Sequence, residues 1–306
     1  FKFGPLPAGA TQGPYTNSVG VTAIVPFDEQ TLGGINADPE VGPVVVSEIF
    51  SSPTRDGDVL GQNEIEFIEL VNSQSSPVLL GGPIGQAFSW RLRGGIRYNF
   101  PAGVELGPFE SMVLVSFDPD LDDALLSAFR GRWNIPEKVV VLGPFTGRLD
   151  NSGDTVRLER ADPSLVFGDE LEFYASEVVD YSASSPWPET LNPAESIQRL
   201  SAIDFGNDPS NWTIGVPTPG VFTLDRRSQI VAISTSDVGV LLEIELGGAG
   251  RYALETSSDI QSDLWETIEV ITFDETSSSI TEFLDPSPVK ERRFYRIVSL
   301  VQSTID

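Results

Sequence analysis

Apolar residues recur along this chain in short bursts at every second position, the spacing of strands with one face turned to a core. Ile65-Glu66-Phe67-Ile68-Glu69-Leu70-Val71 alternates apolar and acidic residues for much of its length, so its acidic face is expected in water. Val44-Val45-Val46-Ser47-Glu48-Ile49-Phe50, entered through Gly42-Pro43, reads as a buried strand. Further strands are expected at residues 88–92, 112–117, 138–142, 155–160 and 178–181, and in a last block at 230–233, 240–246, 252–255, 265–273, 280–283 and 294–300. Short strands at this spacing, with almost no helix between them, predict β-sandwiches or barrels.

One helix interrupts the pattern near residues 119–130. Asp118 is placed to cap it and Pro119 to open its first turn, while Asp120, Asp122 and Asp123 crowd the positive end of the helix dipole. Leu121, Leu125, Ala128 and Phe129 then fall on one apolar face, and Gly131 supplies the stop. The texture of the chain divides it into residues 1–43, rich in Gly, Pro, Thr and Asn, a strand-rich block at 44–222, and a second strand-rich block at 223–306. The expected fold class is all-β: a sandwich or barrel over residues 44–222 followed by a smaller Ig- or fibronectin-like sandwich.

The middle block carries a family resemblance. Its stretches are Val44-Val45-Val46-Ser47-Glu48-Ile49, Glu66-Phe67-Ile68-Glu69-Leu70-Val71-Asn72, Ser89-Trp90-Arg91-Leu92 and Phe100-Pro101-Ala102-Gly103. They continue with the run from Leu149 to Leu158, then Ser185-Pro186-Trp187-Pro188, Ser196-Ile197-Gln198-Arg199-Leu200 and Pro217-Thr218-Pro219-Gly220. In this order and spacing they resemble the lamin-tail domain of large bacterial surface proteins. The resemblance implies an Ig-like sandwich that serves as an accessory module of exported proteins, and it brings no catalytic residues with it. A longer loop, Ser51 to Asn63, departs from the pattern. Residues 1–43 look like the tail of a preceding lamin-tail copy or a linker, so the chain is expected to be a piece of a longer polypeptide. The last block is similar to small domains that end many exported bacterial proteins, through Tyr252-Ala253-Leu254-Glu255-Thr256-Ser257, Leu264-Trp265 and Arg293-Phe294-Tyr295-Arg296.

Composition narrows the chemistry. The 306 residues contain no His and no Cys, which removes Ser-His-Asp and Cys-His nucleophiles, His-ligated zinc, haem held through His or Cys, and iron–sulfur clusters. Carboxylate chemistry is the broad catalytic class left open. Nineteen basic against 45 acidic residues give a net charge of −26, which disfavours nucleic acid and anionic lipid as partners. No apolar run reaches the ~18 residues of a membrane span, so membrane insertion is not expected.

Two candidate sites stand out. Asp56-Gly57-Asp58, with Asn63 and Glu64 nearby, offers loop oxygens to Ca2+, the one cofactor the sequence suggests. Trp187, between two prolines, and Trp212 offer indole faces to a glycan, whereas Trp90 and Trp265 lie in strand patterns and are expected in the core. The run Asp118–Asp123 reads as a helix start, Asp150-Asn151-Ser152-Gly153-Asp154 as a turn, and Asn211-Trp212-Thr213 as a sequon that falls by chance in a turn. The first expectation is a non-catalytic structural or adhesive module, extracellular or on the cell surface, whose partners are other protein chains or neighbouring domains. A carbohydrate- or calcium-dependent binding module is the second reading, and a carboxylate-only hydrolase the third.

Overall fold

The strand that residues 65–71 predict forms, but both of its faces are buried. The computed structural model describes residues 6, 9–53, 65–82, 89–167, 170–189, 194–222, 229–236, 238–245, 250–258, 264–273, 280–286 and 293–299. With 50% of residues in strands and 6% helical, the fold is all-β, and the chain divides into two units, Phe1–Thr223 and Leu224–Asp306.

The first unit opens with a hairpin of β1 (Thr11–Thr16) and β2 (Thr22–Phe27). Next come β3 (Val44–Phe50), β4 (Phe67–Asn72), the short β5 (Val78–Leu79), β6 (Arg91–Gly94), β7 (Ile96–Asn99), the short β8 (Glu105–Leu106) and β9 (Ser111–Val115). Helix α1 spans Asp123–Trp133. Then follow β10 (Val140–Leu142), β11 (Thr146–Gly147), the long β12 (Gly153–Phe167) and β13 (Glu170–Ser182), β14 (Ser196–Arg199) and β15 (Trp212–Gly215). One sheet runs β10-β9-β4-β3-β14-β15 and the other β11-β7-β6-β12-β13.

Why both faces of β3 and β4 are buried follows from the layering. One face contributes Val44, Val46, Ile49, Ile68 and Leu70 to the core between the sheets, where they meet Leu92, Ile96, Val156 and Leu158. The opposite face contributes Phe50 and Phe67, which pack with Leu125, Phe129 and Trp133 of α1. A helix laid on a sandwich thus makes three layers around a central sheet. The expectation that the acidic face of this strand meets water is therefore corrected. Glu66 and Glu69 are 3% and 1% exposed, because loops and the helix layer cover them.

The helix starts and ends later than its sequence suggests, at Asp123–Trp133 in place of residues 119–130. Its cap is Asp122, whose side chain accepts the N–H of Leu125 at 2.9 Å. Asp118 instead accepts the N–H of Asp120 at 3.0 Å in a preceding turn, so Leu121 is left exposed. Gly131 continues the helix, and Asn134, in the left-handed conformation at φ 53°, ends it.

The second unit contains two three-stranded sheets. Its strands are β16 (Gln229–Ser236), β17 (Gly239–Glu245), β18 (Gly250–Ser257), β19 (Glu266–Phe273), β20 (Ile280–Asp285) and β21 (Phe294–Ser299). The sheets run β16-β17-β20 and β19-β18-β21 and enclose Val240, Leu242, Ile244, Tyr252 and Leu254. Asp285, almost wholly buried, accepts from Arg293 and from the Tyr295 hydroxyl, each at 2.8 Å. Burial and the neighbouring carboxylate push that phenol up to about 12.

Candidate functional site

The acids that the sequence sets in its strand patterns converge on the central sheet as anchors. Glu48 and Glu69 stand opposite each other on β3 and β4. Glu48 accepts the Ser196 hydroxyl, the Gln198 amide at 3.3 Å and the Thr218 N–H at 2.9 Å. Glu69 accepts the Ser47 hydroxyl at 2.7 Å and the Gly220 N–H. Together they hold the segment Pro217-Thr218-Pro219-Gly220 against the sheet. Gly220 sits at φ +83°, and a Cβ there would come within 2.9 Å of Val139, so the loop needs glycine at its point of attachment.

Two more buried acids do the same work elsewhere. Glu66 accepts the Leu149 N–H at 2.9 Å and the Arg148 guanidinium at 3.1 Å, which fixes the approach to β12. Glu177 on β13 accepts the Val46 N–H and pairs with Arg199, whose guanidinium is fully buried. Arg199 also donates to the carbonyls of Val46, Ser201 and Asp204, so each of its nitrogens has a partner. Burial raises Glu48, and it pushes Glu69 up to about 8, with the neighbouring Glu48 charge adding to the rise. Such shifts resemble those of catalytic acids. Here the oxygens are 1–2% exposed by residue and occupied by loop amides and hydroxyls, so the groups hold the fold.

A concavity in this unit lies elsewhere. A cleft of about 360 Å³ separates the N-terminal hairpin from β13, lined among others by Ile24, Pro26, Arg157, Phe173, Ser176 and Asn207. The hairpin is pinned across it by a small polar hinge: Ser18 donates its N–H to Asp208 at 2.8 Å together with its hydroxyl, and Asn17 donates to the Asn207 carbonyl at 3.1 Å. Burial opposes the charge on Asp208, but the Ser18 and Ser210 donors outweigh it and hold the carboxyl below its usual range. Among the described residues β13 ends its sheet on this side, and the Asp180 N–H turns outward to the Asn207 side chain at 2.9 Å.

Beside the cleft, the outer face of the five-stranded sheet carries arginines. Leu92, Ile96, Val156 and Leu158 point inward at 0% exposure, which sends Arg91, Arg93, Arg97 and Arg157 to the opposite face. Arg93 and Arg157 are directly paired across β6 and β12. The β6–β7 register, Arg91 with Asn99 and Leu92 with Tyr98, sets Arg97 beside Arg93 at its next step. Glu159 serves both Arg91, at 2.7 Å, and Arg157, at 3.7 Å, and Arg91 lies 3.5 Å over the Phe173 ring. Burial, followed by the charge of Arg91, lowers the Arg93 guanidinium, and Arg97 adds to that effect. The signal for this face was present in Arg91-Leu92-Arg93-Gly94-Gly95-Ile96-Arg97, where a glycine pair turns a hairpin. A charge reading by net balance alone passes over it.

The predicted site residues are dispersed. The calcium candidates Asp56, Asp58, Asn63 and Glu64 lie outside the described residues. Among the described residues no cluster of three or more acidic groups gathers to hold a metal, and no helix is long and apolar enough to cross a membrane. Trp187 and Trp212 are brought together, with ring centres 5.9 Å apart, but inside the core at 8% and 4% exposure. The Trp212 N–H donates to the Gly206 carbonyl at 2.7 Å, so its polar edge is used as well. Neither indole presents the open face that stacking on a sugar requires. Trp90 is core as expected, whereas Trp265 is half-buried under the Arg296 guanidinium at 4.3 Å. Asn211 of the sequon is buried and donates to the Ser201 and Asp204 carbonyls, which leaves its amide no room for a glycan in the folded chain. Asp150-Asn151-Ser152-Gly153 forms the expected turn, with Asp150 accepting the Ser152 N–H at 2.7 Å.

No family model, curated protein or solved structure matches this chain.

Proposed function

We propose that this chain is a non-catalytic structural or adhesive module of a large exported bacterial surface protein, related to lamin-tail domains and acting through protein–protein contacts. The observation that carries the proposal is the use made of its motif acids. Glu48, Glu66 and Glu69, all in the stretches that resemble the lamin-tail domain, each accept a loop backbone N–H from a later stretch of the same resemblance. Residues placed in that way serve a scaffold. The functional surface of a scaffold is then what its framework displays: the outward edge of β13, the cleft beside it and the adjoining sheet face. Among the described residues no further strand pairs with this edge of β13, and an edge without a partner strand is a template for extended segments of other chains.

The absence of cysteine makes the test clean, because one engineered thiol is unique. The variant Gln12→Cys places it at the cleft. Expressed in the native source, it should react with a membrane-impermeant maleimide on intact cells, and a photo-crosslinker attached there should give adducts with other exported polypeptides. Labelling only after lysis, or crosslinks confined to cytosolic proteins, would overturn the proposal.

A further inference from the structure

We infer that the cleft beside β13 is a site of β-strand addition, which takes a short extended segment of another polypeptide with apolar and basic side chains. The register of β12 and β13 fixes which backbone groups face the cleft. Thr155 and Asp180 stand opposite each other, and both turn away from the shared ladder. The Thr155 carbonyl accepts the Gly95 N–H at 3.1 Å on the far side of β12, and the Asp180 N–H points outward to the Asn207 side chain at 2.9 Å. Arg157 and Val178 are the next pair of the same kind, two positions on. The N–H and C=O of Val178 therefore point into the cleft, and among the described residues neither has a hydrogen-bond partner. Past the bulge at Ser176, Ala175 stands opposite Glu159 in the same geometry. Outward N–H and C=O groups along one strand edge are matched by another extended backbone.

The hairpin on the opposite wall does not complete the sheet. Pro26 of β2 has no N–H to offer, and it turns its carbonyl away from β1 to the Glu40 N–H at 2.8 Å. The gap of about 360 Å³ therefore stays open between two strands of one unit. Asn207 occupies the Asp180 N–H, which ends the free edge there and keeps the added strand short. The lining selects the side chains. Ile24, Pro26, Phe173 and Val178 make the walls apolar. Of the acids at the cleft, Glu159 is shared by Arg91 and Arg157, and Glu177 holds Arg199. Glu40 and Asp180 have no cationic partner among the described residues, so a lysine or arginine on the incoming segment complements them. The net charge of −26 steers such a segment in the same direction.

The inference rests on the exported-module reading and names the chemistry of its partner, but the two fail separately: intact-cell labelling reports export, and peptide binding in vitro reports the edge. The test titrates the whole chain into a fluorescent pentapeptide, Val-Lys-Val-Lys-Val. The peptide should bind and should slow hydrogen exchange at the Val178 amide. The same peptide with N-methylated backbone amides keeps its charge but loses its donors, and should bind about tenfold more weakly or worse. Val-Glu-Val-Glu-Val should not bind. Val178→Pro removes an N–H that the ladder with β12 does not use, a substitution that edge strands tolerate, and should abolish binding. Asp180→Asn should weaken it about threefold. If Val178→Pro fails to fold, protection of the Val178 amide in the wild type and the effect of Asp180→Asn decide. No binding of the valine–lysine peptide, equal binding of its N-methylated or glutamate version, or a Val178 amide left unprotected at saturation would each overturn the inference.

Discussion

Glu69 and Gly220 lie 151 positions apart in the chain, and the carboxyl of the first accepts the backbone N–H of the second. Burial raises Glu69 from 4.5 to about 8. The native state therefore keeps a proton that the unfolded chain releases above about pH 4.5. The stability linked to this proton is full below pH 4.5 and is lost as pH rises to about 8, at up to ~1.4 kcal/mol per pH unit. Glu48, raised by burial as well, acts in the same direction. Gln in place of Glu69 keeps the neutral shape, accepts from Gly220 and donates to Ser47. Denaturant midpoints of wild type and Glu69→Gln should be similar near pH 5, with the variant more stable at pH 8. Parallel pH profiles would contradict this.

Arg199 and Glu177 form an ion pair with Arg199 wholly inside the protein. Removing one partner strands the other charge, so Arg199→Ala should cost ~3–5 kcal/mol. The double variant Arg199→Met with Glu177→Gln should be more stable than Arg199→Ala, because no uncompensated charge remains. Urea unfolding of both variants checks the order.

Trp187 packs on Trp212 inside the sandwich. Its replacement by Ala should destabilise the first unit by ~3–5 kcal/mol, and thermal unfolding measures the loss. A sugar-stacking residue on the surface would instead leave stability within ~0.5 kcal/mol of wild type.

Gly42 faces Ser176 so closely that a Cβ on Gly42 would lie 3.5 Å from the Ser176 Cβ. This is the lower end of the separation that a disulfide spans. The variant Gly42→Cys with Ser176→Cys should oxidise within one chain, fastening the segment that follows the hairpin to β13. Mass spectrometry of a non-reduced digest detects the linked peptides. Two free thiols after mild oxidation would show that this approach is wrong.

Much of the fold was legible because period two is a local signal. Val44–Phe50 stands where the pattern placed it, and the six strands expected in the last block lie close to the observed ones. The pattern could not say that a helix would cover the second face of β4, because burial there depends on Phe129 and Trp133, some 60 residues further on. Strands with few apolar residues, such as β7 and β14, had no periodic signal of their own and take their form from neighbours. The candidate site was less legible still. Prolines and turns around the tryptophans left both core packing and a sugar-stacking face open, and only the fold shows that Trp212 opens β15 and Trp187 folds inward beside it. The arginine row needed the register of three strands, which pairs residues 64 positions apart.

The most direct test of this account is amide hydrogen exchange at Thr218 and Gly220. If the buried acids are anchors, both amides are protected in the wild type. Glu69→Ala then releases Gly220 by orders of magnitude while the amides of β3 and β9 keep their protection. Exchange at Gly220 that is fast in the wild type, or unchanged by Glu69→Ala, would contradict the claim that these carboxyls hold the scaffold together.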